Sequence, residues 1–162
     1  MEAGIGIWQV IRLINRLVEK SCCFTGHRHI PEEERPVLCS MLQQVIRELI
    51  TTDGINTFYA GGALGFDTLA ATMVIEARKA FPDIRLVIVL PYAKKENRWS
   101  TADEVICLAE RYYTGCMFVR NRHLVDHSSI CVSYQTKQTG GTAYTVKYAL
   151  RKALKVINLA ES

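Results

Sequence analysis

Several familiar signatures are missing from these 162 residues, and each gap removes a class of protein. There is no G-x-S-x-G elbow to present a hydrolase serine. Neither G-x-G-x-x-G nor G-x-x-x-x-G-K-[ST] occurs, so the dinucleotide and P-loop fingerprints do not apply. No C-x-x-C pair is present, which weakens a zinc site. No apolar run approaches the roughly 20 residues of a membrane span, so no transmembrane segment is expected. A one-sided charge is missing too. Twenty basic and 16 acidic residues leave a net +4, and the basic residues form no long run. That balance permits contact with DNA but does not argue for it. No repeat, low-complexity tract or linker divides the chain.

What remains is a composition that is 49% apolar and 22% charged, the balance of one soluble globular domain with a real core. Five of the six cysteines (Cys22, Cys23, Cys39, Cys107, Cys116 and Cys131) sit inside apolar runs. They read as reduced, largely buried core thiols of a cytoplasmic protein.

The chain is organised around Gly61-Gly62-Ala63-Leu64-Gly65-Phe66-Asp67. A β-type run at 56–59 precedes it, and a helical pattern through Leu69, Ala70, Met73, Val74, Ala77 and Ala80 follows it. Three glycines in five positions allow a sharp turn, and the helix after it aims free N–H groups and the positive end of its dipole at the turn. An anion suits that place. A tight connection with Asp67 as an ordinary N-cap suits it equally well.

Residues 1–20 form a separate amphipathic helical extension. Ile7, Val10, Ile11, Ile14, Leu17 and Val18 make a stripe, with Arg12, Arg16 and Lys20 among the polar positions. The expected role is packing on the domain or on a second copy, hence a homo-oligomer. A membrane-surface helix and a misplaced gene start are the other readings. From residue 21 the chain alternates strand and helix. Strands are expected near 22–25, 56–60, 84–90, 115–119 and 129–133, with a last one at 155–159. Helices are expected after Pro31, after residue 65, around 101–111, as a short turn at 120–127, and from 139 to about 154. The run 84–90 has no polar alternation, so it is buried on both faces, as in a helix-covered parallel sheet. The fold class is therefore α/β, a single doubly wound Rossmann-like domain with a mainly parallel sheet over 21–162. Ligands of such sheets bind at the carboxyl ends of the strands.

Topology gathers the candidate residues on that one rim. Thr25, Gly26, His27 and Arg28 combine hydroxyl, imidazole and guanidinium. Thr139, Gly140, Gly141 and Thr142 make a second glycine turn at a helix start, and Asn121 and Arg122 add donors. No carboxylate pair can be placed by spacing, so no catalytic residue is assigned. His27 and His29 lack partner ligands, so no metal is assigned.

Taken together, Phe24-Thr25-Gly26-His27-Arg28, the 61–67 loop, Arg120-Asn121-Arg122 with Val125-Asp126, and Thr139-Gly140-Gly141-Thr142 resemble the SLOG superfamily, specifically its YpsA-like group. The resemblance runs from about 22 to 157. It implies a Rossmann-like fold and a nucleotide or nucleotide-derived ligand. Two related groups supply alternatives: DNA-processing protein A, which binds single-stranded DNA, and the LOG phosphoribohydrolases, which cleave an N-glycosidic bond in a nucleotide. The latter carry a Pro-Gly-Gly-x-Gly-Thr-x-x-Glu motif. Here the third glycine is Ala143 and the glutamate position holds Lys147, which speaks against that reaction. The expectation is a protein that binds or senses a small nucleotide-like molecule and is not an enzyme. Gly61, Gly62, Gly65, Gly140 and Gly141 would offer amides, Thr25, Arg28, Arg122 and Thr142 further donors, and Asp67 an acceptor for a ribose hydroxyl. DNA is the less favoured partner.

Overall fold

A computed structural model describes residues 4–95 and 98–161, with the backbone alone at residues 12 and 15–19. Six strands form one sheet in which every pairing is parallel: β1 (Ser21–Gly26), β2 (Thr57–Ala60), β3 (Arg85–Leu90), β4 (Glu104–Cys107), β5 (Ile130–Tyr134) and β6 (Lys155–Asn158), in the order β4-β3-β2-β1-β5-β6. Helices α2 (Arg35–Thr51) and α3 (Phe66–Ala77) cover one face, and α4 (Cys116–Asp126) and α5 (Gly141–Arg151) the other. The chain builds outward from β1 to β4, then returns to β1's other side with β5. The connections diverge between β1 and β5, and a crevice opens at their carboxyl ends.

The central strands are buried on both faces, as their unalternating sequences require. Along β1, Cys22 and Phe24 turn to the α2–α3 side and Cys23 to the α4–α5 side. Phe24 stacks with Phe58 at 6.0 Å between ring centroids and meets Phe66 edge-on at 6.3 Å. The face of α2 packed beneath them is Leu38, Leu42, Val45, Ile46 and Leu49, a 3.6-residue period.

Two elements differ from expectation. The run Cys116-Met117-Phe118-Val119, β-favouring by composition, is the first turn of α4 rather than a strand. Gly115 enters it at φ +91°, and the buried positions Cys116, Arg120 and Leu124 recur every four residues, a helical period that tertiary packing rewards over local propensity. The fourth strand lies instead at Glu104–Cys107, inside the segment expected to be a helix. It is a four-residue edge strand, largely exposed, so it carries no buried apolar signature. The cysteines divide accordingly. Cys22, Cys23, Cys116 and Cys131 are buried, whereas Cys39 is half-buried and Cys107 on the edge strand is exposed.

Helix α1 (Ile7–Glu19) forms where the stripe predicts. Ile7, Trp8, Val10, Ile11, Leu13 and Ile14 are exposed, so this part of the stripe does not pack on the domain. The side chains of Arg12, Arg16, Leu17 and Val18, and residues Glu96 and Asn97 of the charged loop after β3, lie outside the described residues. Among the described residues, no helix is long and apolar enough to cross a membrane.

Candidate functional site

The crevice holds a cavity of about 330 Å³. Thr25, Gly26, His27 and Arg28 line it from the end of β1, Ala63 and Asp67 from the second connection, Met117, Arg120 and Asn121 from α4, and Lys137 with residues 139–142 from the segment after β5. A second cavity of about 190 Å³ adjoins it, bordered by Gly61, Gly62, Leu64, Pro91, Lys94 and Arg98. The two share Arg28, Ala63, Met117 and Arg120.

The first glycine turn is closed by the protein itself. A Cβ on Gly61 would stand 2.7 Å from the Arg120 guanidinium and 2.8 Å from an Asp67 carboxylate oxygen. On Gly65, at φ +76°, it would stand 2.2 Å from the carbonyl oxygen of Arg28. The Phe66 amide donates to the His27 carbonyl at 3.0 Å, locking the start of α3 onto the β1 turn. Gly26 is needed for the same junction, because a Cβ there would meet the Phe66 ring at 2.4 Å. These glycines permit close packing, against backbone at Gly65 and against side chains at Gly26 and Gly61, and only the Gly61–Leu64 side of the turn borders a cavity.

Asp67 is 7% exposed and accepts a hydrogen bond from the Ala63 amide at 3.3 Å. Burial raises its pKa, and nearby Arg120, the Ala63 N–H and Arg28 pull it back down. Arg120 is 6% exposed and donates to the Gly61 carbonyl and, at 2.9 Å, to the Asn121 side-chain oxygen. Burial lowers its pKa, and Asp67 offsets part of the change. The floor of the cavity is thus one buried carboxylate and one buried guanidinium on either side of Gly61, each making the other tolerable in a low dielectric.

The second glycine turn is open. Gly140 takes φ +98°, and a Cβ on either Gly140 or Gly141 would meet nothing within 4 Å. No side chain caps α5, and its first residues, Gly141 and the buried Thr142, line the crevice. This is the geometry in which helix N–H groups and the dipole accept an anion. His27 positions the neighbouring loop: its Nε2 accepts the Thr136 amide at 3.0 Å. Burial, and then the charge of Lys137, lowers its pKa, which suits the neutral acceptor form.

The structure brings together Thr25, Gly26, His27, Arg28, Asp67, Asn121, Thr139, Gly140, Gly141 and Thr142 in the main cavity. Gly61 and Gly62 border the second cavity, and Gly65 borders neither. Arg122 also lies outside both; its guanidinium donates to the Tyr144 hydroxyl at 2.9 Å on the outer side of α4. The arginine that reaches the crevice is Arg120. Read as a helix rather than a strand and turn, the sequence points to it, since Arg120 repeats the buried face of Cys116 and Leu124 while Arg122 is turned away by 200°. Lys137 is a second lining cation not anticipated. Among the described residues, no group of three or more His, Cys, Asp or Glu side chains could hold a metal ion.

A model of the YspA SLOG family matches residues 23–159. The chain is 29% identical over 137 residues to a SPbeta prophage-derived protein, YoqJ, of Bacillus subtilis, covering 70% of this chain and 80% of that protein. It is 28% identical over 125 residues to a UPF0398 protein of Halalkalibacterium halodurans, covering 68% and 66%. Two solved structures share the fold at 14% identity. DNA processing protein A from Helicobacter pylori, described for its single-stranded DNA binding mode, has a TM-score of 0.59 over 90% of this chain and 66% of that one. DNA processing protein A from Streptococcus pneumoniae has 0.64 over 86% and 50%. The chain therefore spans about two thirds of the Halalkalibacterium and Helicobacter proteins and half of the Streptococcus one.

Proposed function

The chain belongs to the YspA SLOG family, and from that premise we propose that it binds a nucleotide or nucleotide-derived phosphate ligand in the crevice between β1 and β5, without cleaving it. The observation that carries this reading is the uncapped, unobstructed start of α5 facing a cavity edged by Arg28 and Lys137. In this reading a phosphate takes the amides of 141–143 and the Thr142 hydroxyl. Arg28 supplies charge from the turn after β1 and Lys137 from the segment after β5. The sugar lies toward Asp67, which accepts a ribose hydroxyl. A cavity of about 330 Å³ is of the size of small-molecule sites.

Binding is preferred to N-glycosidic hydrolysis because Lys147, at the position of the related hydrolases' glutamate, is exposed on α5 and does not line the cavity. A cation there would not stabilise the cationic sugar that develops as the bond breaks. The likeness to a single-stranded-DNA-binding protein supports a phosphate-accepting rim in general, and a cavity of about 330 Å³ matches a small ligand better than a strand. A thermal-shift screen of nucleotides tests the reading, since a ligand of the native state raises Tm by mass action. A selective rise with a phosphorylated nucleoside, absent with the unphosphorylated one, is expected. A flat screen together with strongly salt-dependent oligonucleotide binding would replace the reading with the DNA one. Free base released on long incubation would overturn the non-catalytic part.

A further inference from the structure

The second cavity has no role in that reading, and its walls are unusual. It is lined by Arg28, Lys94, Arg98 and Arg120 around the Gly61–Gly62 backbone, and among the described residues no carboxylate lines it. Arg120 has Asp67 beside it on the other cavity's floor. Among the described residues Arg28, Lys94 and Arg98 make no ion pair; Lys94 lies over the Tyr92 ring, and Arg98 donates a 3.4 Å hydrogen bond to the Thr68 hydroxyl while lying over the Trp99 ring. Four cations around one concavity repel one another, and an anion entering it relieves that repulsion. The two cavities meet at Arg28 and Arg120, so one ligand can reach both.

We infer that the ligand carries two separated anionic groups: one phosphate at the start of α5 and a second phosphoryl group in the Arg28–Lys94–Arg98 cavity, with the sugar between them at Asp67 and Arg120. The chemical class is a nucleotide with a second phosphate remote from the first. Nucleoside 3′,5′-bisphosphates and 5′-phosphorylated dinucleotides share that chemistry. This rests on the nucleotide reading above and adds the second subsite to it.

Calorimetric titration of the full chain with a nucleoside 5′-monophosphate and with the matching 3′,5′-bisphosphate, for each of the four common bases, tests it. A 5′-phosphorylated dinucleotide forms a third arm that separates the two sources. The bisphosphate or the dinucleotide should bind about tenfold or more tighter than the monophosphate, because charge-assisted contacts of this kind are each worth about that factor. A Lys94→Ala/Arg98→Ala double variant should lose that advantage and keep the monophosphate affinity, and its unchanged Tm would show that the loss is local. Equal affinity for mono- and bis-phosphorylated probes would overturn the second subsite and leave the first reading standing. Failure of every probe to bind would overturn both.

Discussion

At Gly61 and Gly65 a Cβ would stand 2.7 Å from the Arg120 guanidinium and 2.2 Å from the Arg28 carbonyl oxygen; at Gly140 and Gly141 it would meet nothing within 4 Å. Both turns join a strand to a helix, and in sequence they are two versions of one signal. The difference lies in what fills the space that glycine leaves. At the first turn the protein fills it, fusing β1, β2 and α3 into one rigid corner and burying Asp67 with Arg120. At the second the space is solvent, and the helix start is available. A glycine-rich turn is thus evidence of close approach, and only the surroundings decide whether the approaching group is protein or ligand.

The largest effect that would test this contrast is on folding. Gly65→Ala must place a Cβ against backbone at a left-handed φ. Overpacking and the conformational penalty together should cost about 3–5 kcal/mol. For a domain of this size that lowers Tm by roughly 6–20 °C. Gly141→Ala, in open space at a helical position, should stay within about 0.5 kcal/mol of wild type. Equal losses in thermal unfolding would erase the distinction between the two turns.

Next comes the buried pair. Arg120→Met removes the donor to Gly61 and leaves Asp67 without its neighbouring charge, and should cost about 2–3 kcal/mol. The pH dependence carries a definite sign. Burial raises the folded pKa of Asp67 above its ordinary 3.8. The folded state therefore holds that proton more tightly than the unfolded chain does. Its contribution is complete below about pH 3.8 and is lost as pH rises through the folded value. Asp67→Asn should remove that decline, so the Tm of wild type relative to the variant should fall with rising pH across the window. Parallel Tm curves for the two proteins would show that the site leaves Asp67 unperturbed.

A smaller effect separates the arginines. Arg28→Ala should weaken nucleotide binding about tenfold with little change in Tm, since it is an exposed rim residue. Arg122→Ala should leave affinity unchanged and lower Tm only slightly, because its contact is a part-buried hydrogen bond to Tyr144 outside both cavities. Titration calorimetry on the two variants reads this directly, and a loss confined to Arg122→Ala would reverse the assignment.

Why Arg122 stood out in sequence and Arg120 did not follows from one misread element. The doubly wound architecture was legible because β1, β3 and β5 are buried on both faces and their residues say so. The rim was legible because the candidate turns follow strands in a parallel sheet. The β4 edge strand was not, since an exposed four-residue strand with one partner buries too little to leave a pattern. Cys116-Met117-Phe118-Val119 carries strand propensity and becomes helix through Gly115 and the packing of every fourth residue. Once 116–126 is helical, the buried face selects Arg120. The closure of the 61–65 turn was beyond sequence, because it depends on Arg120 and Arg28 arriving from distant segments.

The account turns on which helix start meets the phosphate, and amide chemical shifts during titration with a nucleoside 5′-monophosphate report that directly. The largest shifts should fall on Gly141, Thr142 and Ala143, with a smaller one at the ribose contact Asp67 and with Gly65 and Phe66 nearly still. Shifts centred on Gly65–Asp67, with the start of α5 unmoved, would contradict it.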